Sequence, residues 1–229
     1  MTHQYKQDLA GKYHRYQIAT AIAILFHGVG LVGLLFVDKG LFERSTPLHL
    51  LLMLSLVFWT QVEKNKGFFL FFISSFFAGL VIEIIGVGSG AVFGHYHYGT
   101  ALGWRVMDTP LVLGVNWFLV LFCSGTCVYS LVEKSANATL KACTVIVGGA
   151  FLSVFFDWLM EPVAVKLDFW TWDGGGGIPA YNYWCWLMLS VLLLSLFYWV
   201  RFNKLNKFAV NLTGIQIIFF LVLRIFLKS

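Results

Sequence analysis

Long apolar runs of similar length, separated by short charged turns, set the pattern of the chain. Ile18–Val37, Leu48–Val62, Phe68–Val87, Leu111–Val132, Ala142–Trp158, Tyr183–Val200 and Phe208–Phe226 follow one another in this way. A bilayer crossing takes about 20 apolar residues of helix, so each run reads as one span, the second of them short. The turns Asp38–Arg44, Glu63–Lys66, Glu133–Lys141 and Arg201–Lys207 are polar and compact. Ser45, Thr46 and Pro47 carry the chemistry of a helix cap and a first-turn proline. The pattern predicts an all-α polytopic membrane bundle of about seven transmembrane helices, forming one domain over residues 1–229.

Two interruptions differ from these turns. Glu83 to Pro110 (EIIGVGSGAVFGHYHYGTALGWRVMDTP) starts inside the third span and leaves it through glycines. Asp157 to Asn182 (DWLMEPVAVKLDFWTWDGGGGIPAYN), with Tyr183 behind it, starts inside the fifth. With spans alternating in direction, the third ends, the fifth ends and the sixth begins at one membrane face. The two polar stretches are therefore expected to converge there, and the rest of the chain to serve as their apolar scaffold.

Composition agrees with a membrane protein. Of 229 residues, 59% are hydrophobic and 12% charged, against about 25% charged in a soluble domain. The net charge of +5 is dispersed over short turns, so no nucleic-acid-binding surface is expected. One face of the predicted topology carries Lys6, Lys12, Arg15, Lys64, Lys66, Lys134, Lys141, Arg201, Lys204 and Lys207. The other carries Lys39, Arg44, Arg105, Lys166, Arg224 and Lys228. The excess of basic residues on the first face places the N-terminus in the cytoplasm and suits a bacterial inner membrane. The first 17 residues are polar and lead into a full-length span without a cleavage site, which is not the pattern of a cleavable signal peptide. Cys123, Cys127, Cys143 and Cys185 fall in apolar helices with no CxxC spacing and read as packing residues rather than ligands.

The candidate chemistry is concentrated in the two interruptions. Glu83, about one turn from the end of its span, is costly there as an anion and belongs against a cavity or a partner. Kept protonated in apolar surroundings, it has the character of a general acid. Asp157 and Glu161 are four residues apart and share a helix face, where paired carboxyls can hold one proton between them. Pro162 is expected to end that helix near Glu161. His95 and His97 form an HxH pair, placed for hydrogen bonding or proton relay. As metal ligands they lack a supporting histidine box, and no metal is expected. Tyr96 and Tyr98 lie between and beside them. Trp158, Trp170, Trp172, Asn182 and Tyr183 suit an interfacial belt or a groove for a long apolar ligand. Gly174–Gly177 suits a mobile loop.

Glu83-Ile-Ile-Gly86, Phe93-Gly-His-Tyr-His-Tyr98, Leu102-Gly103 and Pro110 form one set of motifs. Asp157, Glu161-Pro162, Phe169-Trp170-Thr171-Trp172-Asp173 and Ile178-Pro-Ala-Tyr-Asn182-Tyr183 form a second. Together, over about residues 68–200, they resemble the membrane-spanning carotenoid biosynthesis proteins, whose best-known members are carotenoid 1,2-hydratases. The resemblance implies a lipophilic acyclic carotenoid as substrate, membrane lipid as surroundings and no cofactor. It implies hydration of a terminal double bond, with Glu83 or Asp157 as proton donor and Glu161 beside them. The conjugate base, or His95 and His97 as a relay, would deprotonate the incoming water. Tyr96, Tyr98, Trp158, Trp170, Trp172, Asn182 and Tyr183 would hold the substrate and shelter the cation. The alternative is a carotenoid-binding protein or proton-coupled carrier without catalysis. A retinal protein is excluded by the last span, which offers Arg224 but no lysine for a Schiff base.

Overall fold

The computed structural model describes residues 3–175 and 177–227, without the side chains of residues 3–10, 12, 13 and 175. Lys6, Lys12 and Lys228 of the charge count and Gly176 of the glycine loop therefore lie outside the described residues or side chains.

Nine helices and four short strands follow in order among the described residues: α1 (His3–Val32), α2 (Lys39–Arg44), α3 (Thr46–Thr60), α4 (Lys66–Ser89), β1 (Tyr96–Tyr98), β2 (Arg105–Val106), β3 (Thr109–Pro110), α5 (Val112–Val132), α6 (Ala138–Cys143), α7 (Gly149–Lys166), β4 (Trp170–Trp172), α8 (Ala180–Trp199) and α9 (Lys207–Phe226). Single π-helical turns extend α1 to Val37 and join α6 to α7. Six stretches are long and apolar enough to cross a membrane: His14–Val37, Lys66–Ser89, Val112–Val132, Ala138–Lys166, Ala180–Trp199 and Lys207–Phe226. The remaining predicted span is α3, whose 15 residues reach only about 22 Å. Phe36, Leu131, Leu192 and Ile225 lie bare on the outside of the bundle, as side chains that face lipid do. The protein is an all-α polytopic membrane bundle.

Helix α5 is its axis. Its residues from Val112 to Thr126 are almost all buried, and α3, α4, α7, α8 and α9 pack around it. Close approach to α4 depends on small residues. A side chain at Gly79 would run into the Trp117 ring, and one at Gly114 into Phe76. Phenylalanines of α4 and α5 then pack edge-on at the far end, with Phe68 and Phe118 centroids 6.1 Å apart.

Contacts between successive turns confirm the alternating topology. At one end Tyr181 Oη donates to the Gly90 carbonyl over 2.9 Å, and Lys166 Nζ to the Leu227 carbonyl over 2.7 Å. At the other end Gln61 Nε2 donates to the Asn203 carbonyl at 2.7 Å, and Asn206 Nδ2 to the side chain of Thr60 at 3.3 Å. Both polar stretches lie at the first end.

Three local expectations are corrected. Ser45 does not cap α3. Its hydroxyl donates backward to the Phe42 carbonyl, closing α2 instead. Cys143 is exposed rather than packed. Pro162 does not end its helix, which continues to Lys166. A helical proline removes the hydrogen bond to the carbonyl four residues back, here that of Trp158. Arg224 Nη1 donates to that carbonyl at 2.9 Å, and its guanidinium lies 4.0 Å from the centroid of a Trp158 ring. The partner arrives from α9, so no local pattern in α7 announces it.

Candidate functional site: a buried carboxyl cluster under an aromatic hairpin

Helix α4 stops because Gly90 takes φ +66°, a left-handed conformation that glycine adopts without steric cost. The chain then turns back as β1, which pairs antiparallel with β4: Tyr96 opposite Trp172, His97 opposite Thr171, Tyr98 opposite Trp170. Gly99 N–H to the Phe169 carbonyl and Asp173 N–H to the His95 carbonyl, each 2.9 Å, lengthen the ladder at both ends. Side chains alternate across a strand. Tyr96, Tyr98, Trp170 and Trp172 thus point into the bundle, and His95 and His97 point out.

The inward rings meet the acids of α4 and α7. Glu83 Oε2 accepts from Tyr96 Oη and Tyr98 Oη, each at 2.7 Å, and Oε1 accepts from Trp117 Nε1 at 2.9 Å. Glu161 Oε2 accepts from Trp170 Nε1 at 3.1 Å and Trp172 Nε1 at 3.2 Å. Asp157 Oδ2 accepts from Asn182 Nδ2 at 3.2 Å. All three carboxyls are buried. Asp157 Oδ1 and Glu161 Oε1 meet no donor among the described residues. Burial first, and the adjoining Glu83 charge second, push the Tyr96 and Tyr98 phenols up from their ordinary range, so both remain hydrogen-bond donors.

The acids border a cavity of about 30 Å³, room for a water molecule. Next to it lies a chamber of about 350 Å³ with mostly apolar walls, formed by α1, α3, α5, α7 and α9. Leu113, Asn116, Met160 and Trp170 line both spaces. The small acidic cavity is thus the polar end of a larger apolar one.

Of the residues singled out in the sequence, Glu83, Asp157, Glu161, Tyr96, Tyr98, Trp170, Trp172 and Asn182 come together here. His95, His97, Trp158 and Tyr183 are not in the cavity wall. His97 Nδ1 sits 3.0 Å from Asp173 Oδ1 on the outer side of the hairpin, where the two side chains are 65% and 52% exposed. His95 is exposed with its ring against Gly90. A proton relay through them does not reach the acids, because strand alternation gives the inner face to the tyrosines. Among the described residues no group of three or more His, Cys, Asp and Glu is arranged to hold a metal ion. Trp117, Asn116 and Trp186 were missed. An amide and an indole in mid-span, away from both interfaces, are the signal that marked Asn116 and Trp117, since each needs a polar partner.

Fold and site define an integral membrane protein with a carboxyl cluster sealed by aromatic side chains at the end of an apolar chamber. The carotenoid biosynthesis protein family model matches residues 46–228, and the chain belongs to that family. It is similar to the bisanhydrobacterioruberin hydratase of Haloarcula japonica, with 26% identity over 208 residues, covering 84% of this chain and 69% of that protein. No solved structure matches.

Proposed function

We propose that the protein is a carotenoid hydratase that adds water across the terminal double bond of an acyclic carotenoid end. The observation that carries this reading is the unequal filling of the three buried carboxyls. Glu83 accepts three hydrogen bonds and has no acceptor of its own proton that the indole of Trp117 could supply, so it serves as a standing carboxylate. Asp157 has one amide partner and a bare Oδ1 facing into the cluster. It is therefore the proton donor. The name of the Haloarcula relative supports the same reaction class.

The carotenoid end lies in the chamber with its double bond at the small cavity. Asp157 gives its proton to C2, the π bond breaks and a C–H bond forms. The tertiary cation left at C1 faces the rings of Tyr96, Tyr98, Trp170 and Trp172 and the fixed charge of Glu83. Water beside Asn116 attacks C1, and its surplus proton passes to Glu161 Oε1. Asp157 and Glu161 lie one helical turn apart, so the proton returns to Asp157 for the next cycle. Substrate plus water gives the tertiary alcohol with no change in oxidation state.

The test is to incubate purified protein with a lycopene-type carotenoid in ¹⁸O-water, under argon and with a chelator. The product gains the mass of one labelled water per reacted end, and in heavy water a deuteron appears on the adjacent carbon. Oxygen arriving from ¹⁸O₂, or activity abolished by the chelator, overturns the reaction class.

A further inference from the structure

One corner of the apolar chamber is polar and has no part in the acid cluster. His27 of α1, His49 of α3 and Gln216 of α9 line the chamber there, and none of them lines the acidic cavity. His27 Nδ1 is 2.7 Å from the Ala23 carbonyl oxygen. That oxygen only accepts, so His27 carries its hydrogen on Nδ1 and its Nε2 is a bare acceptor. His49 Nε2 lies 3.3 Å from His27 Nε2, with the rings edge to face, 4.4 Å between centroids. The hydrogen between them therefore belongs to His49. This leaves His49 Nδ1 as a lone-pair nitrogen that no donor meets among the described residues. The Gln216 side chain is buried, and its amide also has no hydrogen-bond partner among them.

Leaving an acceptor and an amide unmatched against an apolar space costs stability. A single hydroxyl group satisfies both, giving its hydrogen to His49 Nδ1 and taking one from the Gln216 amide. We propose that His27, His49 and Gln216 form a hydroxyl-binding subsite, by which the protein prefers acyclic carotenoids that already bear an alcohol away from the reacting double bond. His27 acts as the positioning residue that fixes the tautomer of His49. The identity of the ligand rests on the hydratase reading.

Binding is read from quenching of tryptophan fluorescence by the polyene, in Asp157→Asn protein that holds substrate without turnover. Two acyclic carotenoids are compared, alike at the reacting end. One is a hydrocarbon and the other has one tertiary alcohol at its opposite end. The alcohol binds roughly tenfold tighter, the worth of one well-made buried hydrogen bond. Adding His49→Phe, or separately Gln216→Leu, brings the two within about twofold by weakening only the alcohol. His49→Asn, with an amide oxygen near the place of Nδ1, keeps part of the preference. Equal binding of the two carotenoids by the Asp157→Asn protein overturns the subsite, as does a full preference in both the His49→Phe and Gln216→Leu proteins. The hydratase reading fails by a different result: wild-type protein that adds water to neither carotenoid, whatever the binding ratio.

Discussion

Glu83 and Asp157 border one cavity but meet different numbers of donors, three and one, and substitutions should separate them. Asp157→Asn keeps the shape and the contact with Asn182 but removes the proton, and should lower turnover roughly 100-fold or more. Glu83→Gln removes a fixed charge from the place where the cation forms and should cost a similar factor in turnover. The two differ in stability. Gln at position 83 presents an amide N–H₂ to donors that need an acceptor, so Glu83→Gln should also lower the melting temperature, while Asp157→Asn should leave it near the wild-type value. Normal turnover in both folded variants would remove them from the mechanism. Trp117→Phe isolates one donor: the ring packing on Trp186, 3.7 Å between centroids, is largely kept and the bond to Glu83 is lost. A cost of about 1–3 kcal/mol in unfolding measurements is expected for leaving a buried acceptor short of a partner.

At the scale of elements, α7 crosses Pro162 because Arg224 of α9 answers the carbonyl that the proline leaves open. Arg224→Leu should destabilise the protein by about 1–3 kcal/mol. Pro162→Ala restores the N–H and should reduce that cost, which a double-mutant cycle on thermal unfolding measures. Independent, additive losses would mean that the arginine does something else. A side chain at Gly86 would meet Phe93 and Tyr96 Oη, each at 2.9 Å, whereas one at Gly88 meets nothing within 4 Å. Gly86→Ala should therefore displace Tyr96 from Glu83 and lower activity. Gly88→Ala, on the same helix, should be neutral or slightly stabilising, since alanine is the better helix former. These cases also show what the sequence could express. Spans and the convergence of the two polar stretches were legible, because both follow from hydrophobic length and alternating direction. The face-sharing of Asp157 and Glu161 was legible from their spacing of four. The pairing of β1 with β4 was not, since three-residue strands more than 70 positions apart carry no periodic signal of their own. Without that pairing, His95 and His97 look as catalytic as Tyr96 and Tyr98.

For the whole molecule the open question is which way the acid cluster faces. The contacts among turns place the cluster, the β1–β4 hairpin and the C-terminal end of α9 at one end of the bundle, and the turns after α3, α5 and α8 at the other. Lys64, Lys66, Lys134, Lys141, Arg201, Lys204 and Lys207 all belong to the second end. Short basic loops are retained in the cytoplasm, so the cluster should open toward the outer face of the membrane, and the water consumed there should come from outside the cell. The exposed cysteine at 143 lies near the second end and would confuse a labelling experiment, so the background is Cys143→Ser. In it, Thr100→Cys places a thiol in the exposed loop beyond β1, and Ala136→Cys places one in the exposed turn before α6. A membrane-impermeant maleimide added to intact cells should label the protein with cysteine at 100 and spare the one with cysteine at 136, and opening the cells should make both reactive. The reverse pattern would put the acid cluster at the cytoplasmic face and show that the ten-to-six division of basic residues does not set the orientation of this bundle.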